Sequence, residues 1–120
     1  MNNDRFKFRV WDNKNKLYDN DGFLLDGRNG MLVAVGDFTI EQCTGLKDKN
    51  GTLIYEGDIV RFVQDNGNVI DGYYVVKFDE MMCHWVTVPV SDNDFSQWRF
   101  TQKIARDNYE VVGNIHEVQW

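Results

Sequence analysis

The side chains in this sequence best suited to chemistry are Cys43, Cys83, His84 and His116, with the carboxylates Glu56 and Asp58 beside them. A metal site built from the first four needs them to converge, but no CxxC or HxxxH spacing sets any two up as ligands. Cys83 and His84 are adjacent in an expected strand, so their side chains point to opposite faces. Glu56 and Asp58 lie two apart and, on an extended segment, share a face as acid and base partners do. Glu56-Gly57-Asp58 is more simply a polar turn. Cys83 has no nameable base or oxyanion hole, and the chain holds no Walker-type loop, GxGxxG or HExxH. The sequence therefore assigns no catalytic residue, cofactor or metal, and it points away from an enzyme.

Binding is the remaining chemistry. The N-terminal stretch carries Arg5, Lys7, Arg9, Lys14 and Lys16 around Trp11, a set that suits phosphate tracking with base stacking on a small barrel. The plainer reading is that Trp11 closes the core and the cations solvate the outer face of a strand, which a net charge of −6 favours. The later half is acidic, with Asp65, Asp71, Asp79, Glu80, Asp92 and Asp94 as the footprint of a face that docks on a basic protein. Acidic loops also keep β proteins soluble and discourage edge pairing. Trp85, Trp98, Phe95, Phe100 and Trp120 are many large rings for one half of a small domain, and those outside the core are candidates for an interface.

These residues need a scaffold, and 120 residues with 42% hydrophobic and 14% aromatic side chains supply one core. No apolar run is long enough to cross a bilayer and the first residues lack a signal peptide's apolar stretch, so the expectation is a cytoplasmic protein without a membrane partner. In that reducing compartment Cys43 and Cys83 are expected as free thiols. Six of the ten glycines follow Asn or Asp, the pairs that tolerate tight hairpin turns. Strands are predicted near 6–10, 17–18, 23–25, 31–35, 38–43, 53–55, 59–63, 73–78, 84–90 and 109–115. In 91–108, N-caps at Ser91 or Asp92 and the four-residue spacing of Phe100 and Ile104 predict one short helix or helical turn at most.

The run from Cys43 to Val60, with Asn50-Gly51 and Tyr55-Glu56-Gly57-Asp58-Ile59-Val60 inside it, resembles the characteristic block of the YopX family of phage and prophage proteins. Phe8-Arg9-Val10-Trp11-Asp12 is similar to that family's opening strand, and Val111-Val112-Gly113-Asn114-Ile115-His116-Glu117 to its closing one. The stretch 79–108 departs from the pattern. The resemblance implies a mainly β chain forming one domain over 1–120: an N-terminal hairpin-rich portion, 1–45, packed with a small barrel of Src-homology-3 type, 46–120. It also implies a phage or prophage origin, hence a bacterial host cytoplasm. Ile54, Ile59 and Val60 read as core, Gly45 and Gly57 as bends, and Lys47 and Asp48 as an exposed loop. The function expected is a non-enzymatic protein-interaction module whose partner is a phage or host protein or a second copy. The alternative is a nucleic-acid-binding barrel using the basic N-terminal strand.

Overall fold

The computed structural model describes residues 7–19, 25–26, 33–34, 38–91 and 96–117. Eleven strands and one helix follow in order: β1 Phe8–Asp12, β2 Leu17–Asp19, β3 Leu25–Asp26, β4 Val33–Ala34, β5 Phe38–Lys47, β6 Leu53–Tyr55, β7 Asp58–Phe62, β8 Tyr74–Asp79, β9 His84–Pro89, β10 Trp98–Arg99, α1 Gln102–Asn108 and β11 Tyr109–Asn114. A four-stranded sheet runs β2-β1-β5-β6, and a five-stranded curled sheet runs β10-β9-β8-β7-β11. All strand pairings are antiparallel. The mainly β chain with one short helix is the class the sequence predicts.

The division between its parts falls later than residue 45. β5 runs on to Lys47, and β6 pairs back onto it, so the first sheet extends to Tyr55. Gly45, at φ +80°, sits where the β5–β6 register shifts, and the Thr44 hydroxyl donates to the Ile54 carbonyl at 2.8 Å across the irregularity. A bulge thus carries the strand past residue 45, where the resemblance implies the boundary.

The curled sheet closes over Ile54, Val60, Val76, Phe100, Ala105 and Tyr109. Ile54, Ile59 and Val60 are fully buried, as read from the sequence. Helix α1 follows its N-cap Thr101, whose side chain accepts from the Ile104 amide, ten residues beyond the cap expected at Ser91; Asp92 lies outside the described residues. Phe100 before the cap and Ala105 inside the helix both enter the core, a staple that fixes where the chain turns in. Gln102 then bonds both the N–H and the C=O of Lys47, at 3.2 and 3.0 Å, and ties the helix to the end of β5.

Asp48 corrects another expectation. It is 2% exposed, and its carboxylate accepts from the amides of Asn50 and Thr52 in the turn and of Val111 on β11, each at 2.9 Å. One buried side chain therefore shapes the Asn50-Gly51 turn and staples it to the barrel's last strand.

Two hairpins share one local design. Asp12 Oδ1 accepts from the amides of Lys14 and Asn15, and Asp79 Oδ1 from those of Met81 and Met82. The fourth loop residue in each, Lys16 or Cys83, is left-handed at φ 58° or 56°. A residue with Cβ is strained there by about 1–2 kcal/mol, so Cys83→Gly should raise the unfolding free energy by about 0.5–1 kcal/mol after its greater unfolded entropy is subtracted. A urea melt with an unchanged or lower midpoint would contradict that.

Candidate functional site

Two places gather side chains that could act on something outside the chain: a charged joint between the sheets and the open mouth of the barrel.

At the joint, Arg9 of β1 meets Glu41 of β5 and Asp58 of β7, Nε to Oε1 and Nη1 to Oδ1, both at 2.8 Å. Its remaining donor reaches the Glu56 carbonyl at 3.2 Å, and its guanidinium lies 4.6 and 4.8 Å from the rings of Tyr18 and Tyr55. Glu41 also accepts from the Tyr18 hydroxyl at 2.9 Å and faces His116 Nε2 at 3.1 Å. His116 stacks on Trp11 with centroids 4.1 Å apart and planes 6° off parallel. The backbone dictates the arrangement: β1 pairs β5, β11 pairs β7, and the chain beyond β11 carries His116 back to Glu41.

One guanidinium serves two carboxylates that are each 2% exposed. Burial is the largest influence on Asp58 and outweighs the attraction of Arg9, so its carboxyl is pushed up to about 6, with Glu41 adding in the same direction. Burial likewise raises the Tyr18 hydroxyl. An unfolded Asp titrates near 3.9, so between about pH 4 and 6 the folded chain binds the extra proton. This group's stabilisation is full below that window and is lost as pH rises through it. Wild type should accordingly gain stability relative to Asp58→Asn on going from pH 7 to about pH 4, measured by urea midpoints. A constant difference between the two proteins would contradict the buried, proton-binding Asp58.

The joint absorbs much of the basic N-terminal set. Arg9 is spent on internal ion pairs and Trp11 is 8% exposed, in the core, so β1 is buried on the face where the sequence places solvated cations. Lys7, Lys14 and Lys16 are exposed, and Arg5 lies outside the described residues. Glu56-Gly57-Asp58 is a turn, as expected, closed by the Tyr55 amide donating to Asp58 Oδ2 at 2.8 Å, but the Asp58 carboxylate is buried. A cleft of about 320 Å³ beside the joint is lined by Thr39, Glu41, Glu56 and Lys77 with apolar neighbours, but both Glu41 oxygens already hold partners.

The other predicted residues disperse. Asp65 and Asp71 sit in the β7–β8 loop and Asp79 and Glu80 in the β8–β9 turn, so the length of β8, about 20 Å at 3.3 Å per residue, separates the pairs. Asp79 is committed to its own turn, and Asp92 and Asp94 lie outside the described residues. Cys43 is buried on β5 and Cys83 exposed in its turn, both as free thiols. Among the described residues no three His, Cys, Asp or Glu side chains gather as metal ligands.

Of the large rings, Phe100 is core and Trp85 is half-buried against Phe78, while Trp98 is 59% exposed; Phe95 and Trp120 lie outside the described residues. Trp98 stands at the barrel mouth, a cavity of about 280 Å³ lined by Phe62, Ile70, Tyr74, Thr87, Trp98, Arg99, Ile104 and Tyr109. Strand register explains its walls. Trp98 pairs Thr87, Thr87 pairs Val76 and Phe62 pairs Tyr109, so these side chains share the sheet's inner face. The floor holds the Thr87 and Tyr109 hydroxyls, 3.1 Å apart, and burial raises the Tyr109 hydroxyl above its ordinary value. Sequence reasoning picked out Trp98 by its size, but the cavity depends on pairings that no local pattern encodes.

Residues 22–118 match the YopX protein family. The chain belongs to the YopX family. Among solved structures, it is similar to the crystal structure of protein EF1440 from Enterococcus faecalis, at 25% identity over 92% of each chain with a TM-score of 0.51. No curated protein matches it. The YopX match takes in the mouth and, of the joint, Glu41, Tyr55, Glu56, Asp58 and His116, while Arg9, Trp11 and Tyr18 precede it, and the run from Cys43 to Val60 supplies Asp48, Gly57 and Asp58 to the scaffold between them. No helix among the described residues is long and apolar enough to cross a membrane.

Proposed function

We propose that this YopX-family chain is a non-enzymatic accessory module of a phage or prophage, working in the bacterial cytoplasm by binding a protein partner at the barrel mouth. The observation that carries this reading is an aromatic cavity with an exposed apolar rim. Apolar pockets with a few convergent polar groups are the usual form of a binding site, and barrel mouths are a frequent location. Its rim extends from Trp98 to Ile70, and Val69 and Tyr73 beside Ile70 are 47% and 46% exposed. Large exposed rings at such a rim are the residues that anchor protein interfaces.

The joint supports the reading from the other side. Its acids, base and hydroxyl satisfy one another, so the cluster that most resembles a catalytic set is a structural tie. Basic recognition of nucleic acid loses Arg9 and Trp11 to the same tie.

The test compares wild type with a Trp98→Ala, Ile70→Ser double variant. Both side chains are substantially exposed, so the folded state should lose little, about 1 kcal/mol or less. Affinity capture from host-cell extract should retain a protein on wild type that the double variant releases, and light scattering should show whether that partner is a second copy. Identical capture by both proteins would reject the mouth as the contact surface.

A further inference from the structure

We propose that Asn66 is a site of self-catalysed deamidation, in which the Gly67 backbone nitrogen attacks the Asn66 carboxamide, and that the same pair at Asn50-Gly51 is shielded by its clamp on Asp48.

The chemistry needs only the chain and water. The glycine nitrogen forms a bond to Asn Cγ, the Cγ–Nδ2 bond breaks, and ammonia leaves with the displaced peptide proton. Water then opens the succinimide ring to aspartate or, through its other carbonyl, to isoaspartate. Glycine hinders this approach least because it has no Cβ. The sequence holds the pair three times, at Asn29, Asn50 and Asn66, and the first lies outside the described residues.

The other two occupy turns of the same build. The Gly51 N–H donates to the Asp48 carbonyl at 3.1 Å, and the Asp48 N–H to the Thr52 carbonyl at 2.9 Å. Gly67 to Gln64 and Gln64 to Asn68 repeat the two bonds, each at 2.8 Å. Both asparagines are exposed, both glycines lie at positive φ, and open space surrounds the place of each missing Cβ. Dipeptide and turn type alone would make the two equally reactive.

What differs is the cost of opening. Ring closure swings the glycine nitrogen toward Cγ, which breaks the glycine bond and distorts the turn. At Asn66 the other local bond is from the Asn68 amide to Asn66 Oδ1 at 2.9 Å, and residues 64–73 are all exposed, so water takes up the released groups. At Asn50 the turn is wrapped on Asp48. Its Oδ1 holds the amides of Asn50 and Thr52, its Oδ2 holds that of Val111, and the Lys49 amide bonds the Tyr109 carbonyl. Distorting that turn strands a carboxylate that is 2% exposed. Local opening is easier where fewer buried bonds are lost, so the folded chain reacts at Asn66 and is held back at Asn50. Each event sets a new carboxylate beside Asp65, on the loop whose Ile70 lines the mouth.

The test incubates the full chain in neutral buffer, folded in one sample and unfolded in guanidinium chloride in another. Mass spectrometry of the peptides containing Asn50 and Asn66 follows the replacement of NH₂ by OH, and chromatography separates the isoaspartyl form. Unfolded, the two pairs should convert at comparable rates. Folded, Asn66 should stay close to its unfolded rate, while Asn50 should fall at least about tenfold below its own, the factor expected when opening strands one buried polar group. Equal slowing at both sites, or conversion at Asn50 ahead of Asn66, would overturn the proposal. Gly67→Ala should cut conversion at Asn66 and leave Asn50 unchanged. An unaltered rate at Asn66 in that variant would overturn attack by the residue 67 nitrogen.

Discussion

Replacing Arg9 with Gln should lower the unfolding free energy by about 3–5 kcal/mol, because it leaves two buried carboxylates facing each other with no cation between them. For a domain of this length total stability is about 6–18 kcal/mol, so the loss is a large share of the whole. The cost arises from stranding Glu41 and Asp58 and not from the intrinsic worth of the ion pairs, which burial largely cancels. A triple variant, Arg9→Gln with Glu41→Gln and Asp58→Asn, should therefore recover much of the loss. Urea denaturation of the two proteins checks both statements. A single-variant loss under about 1 kcal/mol, the size of an exposed ion pair, would show that the joint is not buried in solution.

Gly57→Ala should be comparably damaging, for a reason confined to one backbone position. Gly57 has φ +86°, and a Cβ there would lie 2.5 Å from Glu41 Oε2. Its N–H bonds the Val76 carbonyl and its C=O the Ile115 amide, both at 2.9 Å, so the turn has little room to move away. The left-handed conformation alone costs a residue with Cβ about 1–2 kcal/mol. Displacing Glu41 from Arg9, Tyr18 and His116 adds the cost of disturbing the joint, for a total of about 3 kcal/mol or more. Thermal melts would show a drop of ten degrees or more at roughly 3 kcal/mol, and a variant melting within a few degrees of wild type would refute the close approach. Gly51, also at positive φ but with open space around its missing Cβ, is the control: Gly51→Ala should show the conformational cost alone.

These two variants show why parts of the structure were readable and parts were not. Apart from β10, which lies in the stretch read only for a helix, strands from Phe38 onward follow from alternating or continuous apolar runs between turns, and those signals are local. Ile104 lies in the helix but Phe100 precedes its cap, and local sequence does not separate Ser91 from Thr101 as the N-cap until Phe100 is known to be buried. Asp48 reads as an exposed loop and Asp58 as a polar turn, and local sequence does not reveal either carboxylate's distant partner. Asp48 is claimed by Val111, 63 residues on, and Asp58 by Arg9, 49 residues back. Arg9 is misread for the same reason, since one strand's alternation does not show that Glu41 and Asp58 meet it from other strands, whereas Trp11 closes the core as the plainer reading has it. The mouth is the extreme case, since its lining comes from seven separate segments that meet only when the sheet curls.

The proposed function has the molecule meet its partner at the barrel mouth and use the N-terminal basic strand to hold itself together. Photo-crosslinking in bacterial cells tests it most directly, with p-benzoyl-phenylalanine placed at Trp98 in one protein and at Lys14 in another. A discrete crosslinked protein from position 98 and none from position 14 is the predicted result. A crosslink to protein or nucleic acid from position 14, with position 98 silent, would contradict it.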